Sequence, residues 1–262
     1  MVFPLNDDNA GRTQFPVVTV GLIVVNVLVF VLLQGAGFNE GFTMAFSTVP
    51  KEIVTGKDLV TPDREVQIET EDGARTVTAP GLKKTPLSVY LTLLTSMFMH
   101  GSIMHIAGNM WFLWIFGDNI EQDLGRVRYL IFYLFCGLLA SLAHVLLNTS
   151  GPAAEMPSLG ASGAISGVMG GYLVLHPHRR VTVLLMRAVT QVPGYVAVGI
   201  WFLFQIVSGF LDRGMGGVAY GAHIGGFIAG AALALPFMIG RPRQGDPSRG
   251  YVQQRDYDRG GR

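Results

Sequence analysis

The sequence predicts an all-α, polytopic membrane protein: six transmembrane helices, with a long extracytoplasmic loop after the first. Two observations predict this. Of 262 residues, 50% are hydrophobic and only 14% charged, whereas soluble domains carry nearer a quarter charged residues. Six apolar runs divide the chain, each about as long as the ~20 residues that bilayer hydrocarbon requires of a helix. A net charge of +1 supplies no basic face for nucleic acid, so the expected surroundings are the lipid bilayer. The single cysteine, Cys136, lies inside an apolar run; it has no partner for an internal disulfide and reads as a buried, inert thiol.

Val17 to Gln34 is the first run, opened by Pro16. Gly35, Ala36 and Gly37 after it loosely resemble a signal-cleavage site, but the basic flank is only Arg12, with Asp7 and Asp8 nearby, and the segment is expected to remain. Residues 35 to about 87 are polar and contain no span. Within them Val66–Thr70 and Ala74–Thr78 alternate apolar and polar side chains around Asp72-Gly73, a pattern that predicts a small β-hairpin at the membrane surface. The other runs cover about 102–119, 127–147, 160–176, 192–210 and 217–239. From Arg241 the chain is rich in Arg, Gly, Asp and Gln and reads as disordered. The expected organisation is a cytoplasmic segment 1–16, a six-helix membrane domain 17–239 with a polar outer-loop insertion at about 51–85, and a cytoplasmic tail 240–262.

Orientation follows from basic residues in short loops. Arg126 and Arg128 lie in the turn at 120–128, and Arg179, Arg180 and Arg187 in the turn at 176–190. Arg241, Arg243, Arg249, Arg255, Arg259 and Arg262 follow the last run. On the opposite side, 148–159 has no Lys or Arg and 211–216 has only Arg213. Both termini are therefore expected in the cytoplasm.

An unpaired polar group is costly inside a bilayer, so polar residues within spans are candidate functional residues. His105 and Asn109 are four apart and project from one helical face; His100 precedes them by five. Two imidazoles with no carboxylate or thiolate beside them do not complete a four-ligand zinc site, so neither metal nor cofactor is expected. For His100 the ordinary reading, an interhelical hydrogen bond, carries most weight. His105 and Asn109 offer two donors to one point, as an oxyanion requires.

Gly160-Ala161-Ser162-Gly163 opens the fourth helix. A serine there can be a simple N-cap or a helix–helix contact. Its place in the first turn adds weight, because the unsatisfied N–H groups there point toward developing negative charge. Gly163, Gly167 and Gly171 form a smooth stripe for a partner helix. The sixth run supplies one: Gly221/Gly225 and Gly226/Gly230 fit the small-xxx-small rule for close contact, and His223 sits among them. His144 reads as structural, and His176 and His178, flanking Pro177, as solvated.

A serine hydroxyl needs a base. No Asp or Glu in a span is placed to orient the imidazole, since Asp118, Glu121 and Asp123 gather at the far end of the second helix. The expected centre is thus a Ser162–His223 dyad whose imidazole is held by packing. His223 accepts the serine proton, while the Ser162 N–H, His105 and Asn109 hold the oxyanion.

These motifs resemble the rhomboid intramembrane serine proteases. The likeness rests on His100…His105…Asn109-Met110, Gly160-Ala161-Ser162-Gly163, Ala222-His223-Ile-Gly225-Gly226 and Glu121…Gly125-Arg126, and spans about 17–239. It implies Ser162 as nucleophile, His223 as base, His105 and Asn109 as the oxyanion pair, and His100, Gly160 and Gly163 in support. Its further implications are a transmembrane-helix substrate cut near its outer end and, from the six-helix form, a bacterial plasma membrane. Two features depart from the family pattern. Ser166 stands where some relatives stack an aromatic ring on the imidazole, and the first outer loop lacks the Trp-Arg pair of many relatives. Two rivals are an inactive relative that binds transmembrane helices, which would have lost Ser162 or His223, and a small transporter, which would show an internal repeat.

Overall fold

The computed structural model describes residues 2–9, 12–70, 73–211 and 219–241. Asp72 of the expected hairpin turn, Asp212 and Arg213 of the fifth loop, and the tail beyond Arg241 lie outside them. Strand β1 (Val2–Asp7) precedes helix α1 (Val17–Leu28), which continues through a π-helical turn at Val29–Leu33. The polar stretch folds into α2 (Glu40–Phe46), α3 (Pro50–Thr55), strands β2 (Arg64–Thr70) and β3 (Gly73–Ala79), and a helical stretch Val89–Phe98 containing α4 (Thr92–Thr95). Then come α5 (Ile103–Leu124), α6 (Arg126–Leu147), α7 (Ser162–Leu175), strands β4 (Arg180–Leu185) and β5 (Ala188–Pro193), α8 (Gly194–Leu211) and α9 (Tyr220–Met238).

Each of the six apolar runs is helical. By length and composition α6, α8 and α9 could each cross a membrane, and α5 joins them when taken with Val89–Phe98 across a 78° bend. Val17–Leu33 and α7 are apolar but shorter. The bundle turns large apolar side chains outward, among them Leu32, Trp114, Leu146, Leu203 and Phe210. A water-soluble monomer rarely exposes so much apolar surface. The chain is a mostly helical, polytopic membrane protein.

The expected hairpin is present, with β2 and β3 antiparallel and Val66 opposite Val77. A second sheet was not legible in the sequence. β1 pairs with β4, and β4 with β5, all antiparallel. The turn read as 176–190 is thus a hairpin that recruits the N-terminal segment. Its pairing joins residues some 180 positions apart, which no local turn signal announces.

Beneath this sheet the Arg-rich end of the bundle is tied by polar side chains. The Glu121 carboxylate accepts the Val18 and Thr19 N–H groups (2.9 and 2.8 Å) and the Thr19 hydroxyl (2.8 Å), capping the orphan donors of α1 and favouring its positive end. Arg12 pairs with Asp118. Arg128 donates to the Ile239 carbonyl (2.7 Å) and Arg241 to the Asp123 carbonyl (3.0 Å), closing α9 onto the α5–α6 turn. His176 corrects the expectation of solvation: it is buried 2.7 Å from Asp123.

Asp7 accepts from the Tyr172 hydroxyl (3.0 Å) and from the Asn119 amide. Burial, then the nearby Asp118 carboxylate, push its carboxyl up to about 7. The folded chain therefore holds a proton that the unfolded chain loses near pH 4, so the stability Asp7 contributes falls as pH rises from about 4 to about 7. Asp7→Asn should flatten that dependence. The check is amide hydrogen exchange in β1 across this range, corrected for intrinsic rates: wild-type protection should decline with pH and variant protection should not.

Candidate active site

Ser162 is the first residue of α7, and the loop before it is pinned from two sides. Thr48 and Ser158 exchange backbone hydrogen bonds (2.9 and 2.8 Å), and the Gly160 N–H donates to the Ser96 carbonyl (2.9 Å). Gly160 adopts φ +121°, a conformation that L side chains rarely take. A Cβ there would also lie 2.8 Å from His105 Nε2. Glycine thus lets the loop pass directly beneath the His105 ring.

At three glycines α7 and α9 meet backbone to backbone. A Cβ on Gly226 would overlap the Gly163 carbonyl oxygen, one on Gly230 the Gly167 carbonyl, and one on Gly170 the Phe227 carbonyl. Gly163 itself makes room for α6, since a Cβ on it would stand 2.7 Å from Ala140 Cβ. This approach sets Ser162 Oγ 2.8 Å from His223 Nε2, so a hydroxyl and an imidazole from helices 61 residues apart in sequence share one hydrogen bond.

His105 and Asn109 face the same place from α5. The Gly101 N–H donates to His105 Nδ1 (3.4 Å), which leaves the ring proton on Nε2, the nitrogen turned toward Gly160. The buried Asn109 side-chain nitrogen is 3.6 Å from the Gly160 Cβ position and has no hydrogen-bond partner among the described residues. Two donors therefore converge just before the serine.

His100 is fully buried. Gln34 binds its backbone N–H and C=O, each at 2.9 Å, and its ring stands edge-on to His105 with centroids 5.2 Å apart. The expected interhelical hydrogen bond from its ring is not seen among the described residues; the ring's aromatic contact is with His105.

All four groups, Ser162, His223, His105 and Asn109, open onto one cleft of about 630 Å³. His144 also lines it, held by Asn148 (3.3 Å to Nδ1). Ser166 donates to the Ser162 carbonyl (2.6 Å) within its own helix. The rings nearest His223 are instead Trp201 and Tyr220, at centroid distances of 6.2 and 6.4 Å, tilted and edge-on rather than stacked.

Sequence reasoning passed over one residue. Gln205 Oε1 lies 2.8 Å from His223 Nδ1, so the imidazole is hydrogen-bonded at both nitrogens and not held by packing alone. The available signal was a buried amide in an otherwise apolar run, four residues after Trp201 and so on the same helical face.

The Rhomboid domain family model matches residues 88–239, which contain Ser162, His223, His105, Asn109, His100 and Gln205. The chain is 32% identical over 164 residues to Rhomboid protease GluP of Bacillus subtilis (strain 168), covering 62% of this chain and 30% of that protein. It is 30% identical over 168 residues to RHOMBOID-like protein 1 of Arabidopsis thaliana (64% and 38%). It is 27% identical over 206 residues to the mouse Presenilin-associated rhomboid-like protein, mitochondrial (66% and 54%). The matched stretch thus spans between about a third and a half of these relatives' own lengths. With a family match over more than half its length, the chain belongs to the rhomboid family.

Proposed function

We propose that the protein is an intramembrane serine endopeptidase that cleaves transmembrane segments of other membrane proteins. The observation that carries the reading is the 2.8 Å hydrogen bond between Ser162 Oγ and His223 Nε2, set inside a helical bundle and open to a cleft. Ser162 Oγ attacks the scissile carbonyl carbon as its proton passes to His223 Nε2. The Ser162 N–H, His105 Nε2–H and the Asn109 amide stabilise the oxyanion. Collapse of the tetrahedral intermediate breaks the C–N bond, and the leaving amine takes the proton from His223. Water then adds to the acyl carbon, with His223 again as base, and frees Ser162.

In this reading all six helices cross the bilayer and both termini are cytoplasmic, with the tail 240–262 trailing there. The long first loop lies outside, on the Ser162 side, and the membrane is a bacterial plasma membrane. Both members of the dyad are retained, which favours an active enzyme over a relative that only binds transmembrane helices.

The test is labelling of the purified, detergent-solubilised protein with an alkyl fluorophosphonate. Mass spectrometry should find the adduct on Ser162, and Ser162→Ala should lose both the label and cleavage of a model transmembrane substrate. Retained turnover in that variant rules out this nucleophile. Asn109→Ala should lower kcat by about 10²–10³, the usual loss for one oxyanion donor, while leaving the helical circular-dichroism spectrum unchanged. A wild-type rate would remove Asn109 from the oxyanion site.

A further inference from the structure

Hydrolysis through Ser162 and His223 requires the imidazole in one tautomer, with Nε2 free to accept and the proton on Nδ1. In a cleft within an apolar bundle, an Nδ1–H left without an acceptor would favour the opposite tautomer or a rotated ring. The acceptor present is Gln205 Oε1, 2.8 Å from Nδ1. We propose that Gln205 is a positioning residue for catalysis, the third member of a Ser162–His223–Gln205 relay in which a neutral amide does the orienting more often assigned to a carboxylate. The proposal rests on the serine-hydrolase reading above and adds to it the control of the base.

The placement is built. Gln205 is only 7% exposed and lies one helical turn from Trp201, which also faces His223. The register of α8 on α9 is fixed next door by Phe202 stacked on Phe227, with centroids 3.9 Å apart and planes within 12°. The ring of His223 is thereby held between two helices, its Nε2 bonded to α7 and its Nδ1 to α8. No Asp or Glu lines the cleft among the described residues. The other titratable groups facing His223 are His105 from α5, His144 from α6 and Tyr220 from its own helix, and none supplies an anion.

An amide oxygen fits this environment for a physical reason. A buried carboxylate would cost much desolvation energy within the bundle, whereas an amide accepts the same hydrogen bond without a charge. Its dipole stabilises the imidazolium less than an anion does, so its loss should cost less than the ~10⁴-fold seen when a serine-protease triad aspartate is neutralised to an amide. A loss of about 10–100-fold is expected here.

The experiment compares wild type, Gln205→Met and Gln205→Glu in detergent, reading fluorophosphonate labelling, kcat, KM and the pH dependence of kcat/KM. Met keeps the length of the side chain and removes the acceptor oxygen; Glu is, when ionised, an acceptor only. Gln205→Met should lose kcat by about 10–100-fold with KM unchanged. Gln205→Glu should recover kcat to within about threefold of wild type and move the acidic limb of the profile to higher pH, because an anion beside Nδ1 favours the imidazolium.

The proposal fails if Gln205→Met keeps the wild-type kcat and pH profile, or if the Glu variant, with its acidic limb moved to higher pH and its carboxylate therefore ionised beside Nδ1, is as impaired as the Met variant. Should Gln205→Met not accumulate folded, Gln205→Leu supplies the same comparison. Absence of wild-type labelling at Ser162 would sink the hydrolase reading itself, a result distinct from either failure of the Gln205 proposal.

Discussion

His223→Ala should lower turnover of a transmembrane substrate by about 10⁵–10⁶-fold, the loss that follows when the base is removed from a serine hydrolase. It should also abolish fluorophosphonate labelling of Ser162, because an unassisted hydroxyl is a poor nucleophile. The protein should stay folded. The His223 side chain makes its two hydrogen bonds into the cleft, to Ser162 and Gln205, while α9 is held in the bundle by glycine contacts on its other residues. Measuring labelling together with thermal unfolding separates the two effects. A folded His223→Ala protein that still labels Ser162 at the wild-type rate would show that another group takes the proton. His144, which shares the cleft, would then be the first residue to test.

Much of this site could be read from the sequence because bilayer chemistry makes polar residues conspicuous. Ser162, His223, His105 and Asn109 stand out against apolar neighbours, and the four-residue spacing of glycines on the fourth and sixth runs marks two helices that can touch. Gln205 is conspicuous by the same logic, an amide in an otherwise apolar run, but only the packing of α8 against α9 shows that it meets His223. The sheet of β1, β4 and β5 was hidden for a different reason. Its register depends on pairing between chain segments some 180 residues apart in sequence, and neither the N-terminal Val2–Asp7 nor the Arg-rich turn is recognisable as a strand without the other. His176 was misread because its partner, Asp123, comes from another helix. A histidine beside Pro177 in a loop looks solvated until α5 is laid against it.

Gly230→Leu should be the most damaging single substitution in the bundle, destabilising it by more than about 3 kcal/mol. A side chain at Gly230 would meet the Gly167 carbonyl oxygen and the Gly167 backbone behind it, and backbone cannot rotate aside as a flexible side chain can. Even Gly230→Ala should lower the thermal midpoint well below that of Gly21→Ala or Gly199→Ala. Those two positions have open space where the Cβ would stand, and helix propensity alone favours alanine there by about 1 kcal/mol.

The same comparison reads out the site. α9 rests on α7 where Gly226 meets the Gly163 carbonyl and Gly230 the Gly167 carbonyl; His223 lies one turn before Gly226 and two before Gly230, and Ser162 is next to Gly163. Any separation of the helices therefore lengthens the Ser162–His223 hydrogen bond directly. Fluorophosphonate labelling of whatever Gly230→Ala protein remains folded should accordingly fall with the thermal midpoint, whereas the Gly21 and Gly199 variants should label as wild type. If Gly230→Ala unfolds no more readily than they do, the close helix contact is not what joins the hydroxyl to the imidazole. The glycines would then owe their spacing to something other than catalysis.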